Sequence, residues 1–243
     1  TVRGWIDAAT RLCVLTGAGM SAQSGVSTFR DALTGLWARY DPQQLATEEG
    51  FRAQPQLVWD WYASRREGVS RAQPNAGHFA IARWQAGHPG RLTLVTQNVD
   101  DLHQRAGSRD VICLHGALFE DRWLDDCPRR ARGEPACDTQ EARPGSPPRC
   151  GECGNPVRPG VVWFGEALPS HALDAAHRAA AECDVMLVVG TSGAVYPAAG
   201  LPMAAHRAGA RVVIVNPGPS EIDAAAHVLL RGTAADVLPM LLA

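Results

Sequence analysis

Leu12-Cys13-Val14-Leu15-Thr16-Gly17-Ala18-Gly19-Met20-Ser21-Ala22-Gln23-Ser24-Gly25-Val26-Ser27-Thr28-Phe29-Arg30 is the stretch that decides how this chain reads. A short apolar run, Leu12 to Leu15, breaks into glycines at Gly17 and Gly19, which is the pattern of a buried parallel strand turning into a phosphate-binding loop. Glycine lets the backbone approach a pyrophosphate closely, and a helix beginning beyond it aims free N–H groups at the charge. A dinucleotide is therefore the first ligand to consider, although tight strand-to-helix turns also use two glycines without any ligand.

Working outward, the same strand-then-polar-turn pattern recurs. Arg91 to Thr96 reads as a second strand and ends in Gln97-Asn98-Val99-Asp100, a cluster of amides and a carboxylate where open α/β sheets place ligands. An ordinary capped turn is the plainer alternative there. Val111 to Leu114 reads as a third strand followed by His115-Gly116. A lone histidine after a strand is usually structural, yet histidine is also the side chain suited to general-base work near neutral pH. Asp184 to Val189 is the clearest buried strand and ends in Gly190-Thr191-Ser192. Arg211 to Val215 ends at Asn216, and Ile222 to Leu242 reads as a terminal strand and helix joined at Gly232-Thr233-Ala234. Helices are expected over Val2 to Thr10, Pro74 to Gly87, Ser170 to Glu182 and Pro197 to Gly209. His78 is expected to cap or pack, and His171 and His177 to be exposed. The alternation predicts an α/β fold, a Rossmann-like parallel sheet with helices on both faces.

Two segments break it. Between Asp31 and Gly77 the chain turns helical, with Leu45, Phe51, Leu57, Val58, Trp59 and Trp61 as apolar faces and Pro42, Pro55 and Pro74 as breaks. Asp121 to Asn155 is rich in Arg, Pro, Gly and Cys and too poor in aliphatic residues to build a core, so a structural zinc is the expected staple. Cys150-Gly151-Glu152-Cys153 is a good half-site, and Cys127 and Cys137 are the other thiols near it. Cys13, Cys113 and Cys183 lie in apolar runs and read as buried core thiols.

The loop extended to Thr28-Phe29-Arg30-Asp31 and Gly35-Leu36-Trp37, with Gln-Asn-x-Asp at Gln97–Asp100 and the later His-Gly, resembles the motif series of the sirtuins, NAD-dependent protein-lysine deacylases. The resemblance covers essentially the whole chain. It implies that Gly17, Ala18, Gly19, Ser21, Thr28, Phe29, Arg30, Trp37, Gln97, Asn98, Asp100, Gly190, Thr191, Ser192, Asn216 and Ala234 bind NAD as co-substrate. It implies that His115 is the catalytic base, with Asn98 and Asp100 orienting the ribose and the nicotinamide pocket. Val162, Trp163, Phe164 and Gly165 would line the acyl-lysine tunnel and pair with the peptide backbone. Ala46, Tyr62 and Arg65 resemble the acyl pocket of the class III sirtuins, which remove succinyl and malonyl groups: the small Ala46 leaves room, and the phenol and guanidinium bind the acyl carboxylate. A lesser deacetylase activity is expected beside it. The family's first Cys-x-x-Cys is absent here, so Cys127 and Cys137 either complete a four-thiol zinc site with Cys150 and Cys153 at unusual spacing, or the site is degenerate.

The domain organisation expected is residues 1–30, 88–120 and 160–243 as the NAD-binding Rossmann-like domain, 31–87 as a helical insertion over cofactor and acyl pocket, and 121–159 as a small zinc-ribbon module. An ADP-ribosyltransferase or NAD hydrolase on the same fold, and a non-catalytic reader of NAD or acyl-lysine, are the alternatives. A dehydrogenase fits less well, since no acidic residue stands at the end of a second strand some twenty residues past the loop. With 243 residues, 46% of them hydrophobic, the chain can bury a sizeable core, and a net charge of −2 argues against nucleic-acid or membrane-surface partners. No apolar run is long enough to span a bilayer. A cytoplasmic monomer acting on acylated lysine side chains of proteins is expected. All 23 basic residues are arginine, so the chain holds no lysine that it could itself deacylate.

Overall fold

The residues described in the computed structural model are 1–26 and 41–243, and they contain eight strands and ten α-helices. The strands are β1 (Leu12–Thr16), β2 (Leu92–Thr96), β3 (Ile112–Cys113), β4 (Gly116–Trp123), β5 (Val157–Val161), β6 (Val185–Val189), β7 (Arg211–Val215) and β8 (Val228–Leu230). The helices are α1 (Val2–Ala8), α2 (Pro42–Leu45), α3 (Glu48–Ala53), α4 (Pro55–Arg71), α5 (Ala76–Gly87), α6 (Leu102–Arg105), α7 (Pro128–Ala131), α8 (Ser170–Glu182), α9 (Leu201–Arg207) and α10 (Ala234–Leu241). None of the described helices is long and apolar enough to cross a membrane.

Six strands form one sheet in the order β3-β2-β1-β6-β7-β8, every neighbouring pair parallel. Such a sheet must be covered on both faces, which is why β1 and β6 are buried at every position. Alternate residues feed two cores. Val14, Leu94, Leu187 and Val213 pack with Ile6 of α1, Ile81 and Trp84 of α5 and Leu238 of α10. Leu15, Val95, Val188 and Ile214 pack with Ala172, Ala176 and Ala180 of α8 and Leu201 and Ala205 of α9. The alanines recur every fourth residue, so α8 presents one smooth stripe to the sheet. The chain runs outward from β1 to β2 and β3, then returns to β6 on the other side of β1. That reversal is a topological switch point, the position beyond the carboxyl ends of the strands where open α/β sheets place ligands.

By contacts the chain divides into two units. The first holds the six-stranded sheet and its helices, with residues Ala72–His115 and Leu168–Ala243 joined to the N-terminal stretch. The second combines α2, α3 and α4 with Gly116–Ala167. Its two strands, β4 and β5, pair antiparallel. Pro159 is tolerated inside β5 because, among the described residues, β4 is the strand's one ladder partner. Helix α4 turns Val58, Trp61, Tyr62 and Val69 inward at helical spacing. Phe51 of α3 lies against the Trp163 ring with centroids 5.3 Å apart.

The sequence reading is corrected at three places. The apolar run from Val161 to Phe164, ending in a glycine turn at Gly165, reads in the sequence as a short strand, whereas the strand lies earlier, at Val157–Val161, and β4 had no counterpart in the prediction. Cys113 is half-buried rather than a core thiol, whereas Cys13 and Cys183 are buried.

Candidate active site

At the end of β1 the chain is held against the end of β6 by backbone bonds, Gly17 N–H to the Val189 carbonyl at 2.9 Å and Gly19 N–H to the Gly190 carbonyl at 2.8 Å. The fit leaves no room for side chains. A Cβ on Gly19 would stand 2.7 Å from Gly190 Cα, and one on Gly190, whose φ is +62°, would stand 2.4 Å from the Met20 nitrogen. The glycines are thus accounted for first by close backbone approach, the same property that admits a phosphate.

Beyond the glycines, Ser21 is the hub of a buried polar network. Its hydroxyl donates to Asp100 Oδ2 at 2.9 Å, so its oxygen accepts, from Asn98 Nδ2 at 3.1 Å and from His78 Nε2 at 3.4 Å. His78 is the donor because its Nδ1 takes the Asn75 backbone N–H in a reciprocal cap at the start of α5. Asp100 Oδ1 accepts the Leu102 N–H. Asn98 is tied from its backbone as well: its N–H donates to Thr96 Oγ1, which takes the Thr16 hydroxyl at 2.9 Å, and Thr16 Oγ1 contacts His103 Nε2 at 3.0 Å. Among the described residues, His103 Nδ1 is buried without a partner. A bare lone pair costs less there than a stranded N–H, so the proton sits on Nε2. Burial holds both histidines neutral: His78 is pushed down to about 4, and His103 to about 3 with the neighbouring His78 adding to the effect.

His115, at the end of β3, is half-buried, and its Nδ1 lies 2.8 Å from the Gln97 carbonyl. A carbonyl only accepts, so Nδ1 carries the proton and Nε2 is left with its lone pair. Burial lowers the affinity of the ring for a second proton, against the smaller opposing pull of that carbonyl. The ring is therefore neutral and correctly turned to accept a proton. Gln97 Nε2 donates to Thr191 Oγ1 at 3.1 Å, joining the turns after β2 and β6. Asn216 Nδ2 donates to the Gly218 carbonyl, and Ala234 begins α10 behind the Thr233 cap. Ser192 is exposed. Thr28, Phe29, Arg30 and Trp37 lie outside the described residues.

In the second unit, Tyr62 and Arg65 share a face of α4. Tyr62 is 4% exposed and its oxygen accepts the Trp163 Nε1–H at 3.0 Å. Burial pushes its phenol up to about 12, so it stays protonated. The Arg65 guanidinium lies 5.0 Å from the centre of the Trp61 ring. The Ala46 carbonyl takes the Phe164 N–H at 2.9 Å, Phe164 itself is 48% exposed, and Gly165 turns the chain at φ +87°. Val162 is half-buried beside them.

The sequence reading did not include Arg158 and Glu166. Arg158 has 3% of its side chain exposed and forks onto both oxygens of Glu166, with one amine also on the Val161 carbonyl at 2.9 Å. Glu166 further accepts the Trp163 backbone N–H at 2.8 Å and Arg122 at 2.9 Å. A lone arginine and a lone glutamate bracketing an apolar run was the available signal.

Cys127, Cys137 and Cys153 bring their sulfurs within 4.8 Å of one another, and the Cys150 thiol hydrogen-bonds to Cys137 and Cys153. Three thiols gathered this way, with Cys150 bonded to two of them, offer the donor set of a structural zinc site, with nine residues between the first two cysteines of the four and two between the last two. Asp125, near this cluster in sequence, pairs with Arg52.

A family model described as the Sir2 family matches residues 17–197. The chain is 57% identical over 241 residues to an NAD-dependent protein deacylase of Ralstonia nicotianae, covering 99% of this chain and 94% of that one. Among solved structures it resembles a Sir2 homologue in complex with NAD, with a TM-score of 0.87, 43% identity and coverage of 99% and 91%. It also resembles Sir2Tm bound to a propionylated peptide, with a TM-score of 0.81, 29% identity and coverage of 98% and 94%.

Proposed function

Since the chain belongs to the Sir2 family of NAD-dependent protein deacylases, we propose that it removes succinyl and malonyl groups from protein lysines, and acetyl groups less efficiently. The products would be free lysine, nicotinamide and 2′-O-acyl-ADP-ribose. Bound NAD would supply the electrophile, C1′ of its nicotinamide ribose, which takes the acyl oxygen as nicotinamide leaves.

The protein's own part follows from the sheet unit's hydrogen bonds. Asp100 is pinned by Ser21 and Leu102, so its carboxylate does not wander when the pocket fills. Asn98 commits one N–H to Ser21 and, among the described residues, keeps the rest of its amide for a ribose or a carboxamide. His115 would take the proton of a ribose hydroxyl at Nε2, the nitrogen that the Gln97 carbonyl leaves unprotonated. Holding two weak reactants in line supplies much of the rate. Main-chain pairing around Val162–Gly165 would make selectivity for peptide sequence modest. Cys127, Cys137, Cys150 and Cys153 would hold a zinc ion whose work is structural, closing a segment without an apolar core.

The observation that supports an acidic acyl group is Tyr62, a buried protonated phenol on the same face of α4 as Arg65. A phenol donor with a guanidinium one helical turn on suits a carboxylate and offers nothing comparable to plain acetyl. The test is NAD-dependent deacylation of one peptide in succinyl and acetyl forms by wild type, Arg65→Met and His115→Tyr. Succinyl should be preferred, Arg65→Met should remove the preference, and His115→Tyr should abolish both activities. Equal, poor turnover of the two peptides by wild type would refute the Tyr62 and Arg65 assignment.

A further inference from the structure

We propose that Trp163 determines the preference for acidic acyl groups, by holding the Tyr62 oxygen as an acceptor so that the Tyr62 O–H is left to donate to the acyl carboxylate. The inference rests on Tyr62 receiving that carboxylate.

An indole N–H can only donate, so the 3.0 Å contact fixes the phenol oxygen as the acceptor. The phenol has one proton, and among the described residues that proton meets no acceptor. A hydroxyl that already accepts a bond is a better donor than a free one. Without Trp163 Nε1, the phenol could turn or take water, and its donor would no longer be aimed.

The indole is itself immobilised by one ion pair, its arginine buried and its glutamate half-buried, acting at two points. Arg158 lies over the ring, 3.3 Å from its centre, while its fork grips Glu166, and the same Glu166 oxygen that accepts Arg158 Nη2 accepts the Trp163 backbone N–H. Phe51 closes on the ring from α3. Ring and backbone are thus clamped together, and Nε1 has one direction to point. The charges facing Tyr62 also suit an anion: Arg65 and Arg158 both act on the phenol, and Glu166, the carboxylate acting on it, is shared between Arg158 and Arg122. Arg158 is accordingly a positioning residue, two bonds removed from the substrate.

The test is kcat/KM for succinyl-lysine and acetyl-lysine forms of one peptide, at saturating NAD, with wild type, Trp163→Phe, Tyr62→Phe and the double variant. Trp163→Phe should lower the succinyl-to-acetyl ratio by about threefold to tenfold, the worth of one neutral hydrogen bond, chiefly through KM. In the Tyr62→Phe background it should lower the ratio no further. A packing role would move both activities in either background, so an equal fall in the ratio with and without the phenol hydroxyl overturns the proposal. So does an unchanged ratio in Trp163→Phe where Tyr62→Phe lowers it. If Tyr62→Phe leaves the ratio unchanged, the acidic-acyl reading falls first and takes the proposal with it. Should Trp163→Phe fail to fold, Arg158→Lys keeps a charge and loses the flat face over the ring. It should shift the ratio in the same direction, and no shift would count against the clamp.

Discussion

Acid should destabilise this protein earlier than its carboxylates alone would. His78 and His103 are 0% and 2% exposed, with ring centroids 4.8 Å apart, and in the folded state they take up protons only near pH 4 and pH 3. In the unfolded chain each titrates at an ordinary histidine value of about 6.5. Above that pH both states are neutral and stability is flat. As the pH falls below it, the unfolded chain binds protons the folded chain refuses, so stability drops by about 1.4 kcal/mol per histidine per pH unit. Between pH 7 and pH 5 the pair therefore removes about 4 kcal/mol, a large part of the ~5–15 kcal/mol typical of a folded domain. The assay is urea unfolding between pH 7 and pH 5, on wild type and His103→Gln. The variant should lose about 1.4 kcal/mol per pH unit less than wild type between pH 6 and pH 5, roughly 2 kcal/mol over the window. His115, His227 and the cysteine cluster titrate in both proteins and cancel in the comparison. Glu166 and the other carboxylates held low by arginine lose their contribution only below about pH 4.5. Equal slopes in the two proteins would refute the neutral, buried His103 on which the reasoning stands.

Three further outcomes are expected. Ser21→Ala removes the acceptor of Asn98 Nδ2 and the hydroxyl that donates to Asp100 Oδ2 and should cost about 2–4 kcal/mol, seen by calorimetry as a fall in Tm of roughly 4–16 °C; a change under about 2 °C would mean that the network is not rigid. Gly190→Ala, which drives a Cβ into the Met20 backbone at positive φ, should destabilise by about 2–5 kcal/mol, whereas Gly68→Ala, in open space within α4, should stabilise by about 0.5–1 kcal/mol; the same sign for both in urea unfolding would contradict the close-approach account. Metal analysis should find one zinc per chain, and Cys150→Ser or a strong chelator should remove it and lower the Tm; a metal-free wild type with unchanged Tm would mark the thiols as a bystander cluster.

What the sequence disclosed and what it hid divide along physical lines. Strands buried on both faces are continuous apolar runs, so β1, β2, β6 and β7 were legible within a residue, and the alanine-rich α8 was read at its observed limits. The polar turns after those strands were visible because glycine, amide and histidine stand out against aliphatic neighbours. β4 was not: Glu120, Asp121 and Arg122 lie in it, and a two-stranded ladder owes its form to a partner some forty residues away. β5, with Arg158, Pro159 and Gly160, carries loop composition for the same reason. The contacts group α5 with the sheet, and nothing local to Ala76–Gly87 tells which core its apolar face fills. Within the site, the residues that touch ligand in the family carry motifs, but their supports do not. Thr16, Thr96 and His103 are unremarkable in sequence, and the chain that they form through Asn98 spans 87 positions.

The order of strands in the sheet has a consequence during synthesis. β1 pairs on one side with β2, whose last residue is Thr96, and on the other with β6, which ends at Val189. At about 5–20 residues per second, the ribosome takes roughly 5–20 s to make the stretch between them. Throughout that interval the nascent chain presents the middle strand of its future sheet as an open edge, apolar on both faces, with the glycine turn that should lock onto β6 still waiting for it. Such an edge invites chaperones or other chains. Slower codons between Thr96 and Val185 should lower soluble yield, and faster ones raise it, so the speed of translation becomes part of what makes this enzyme.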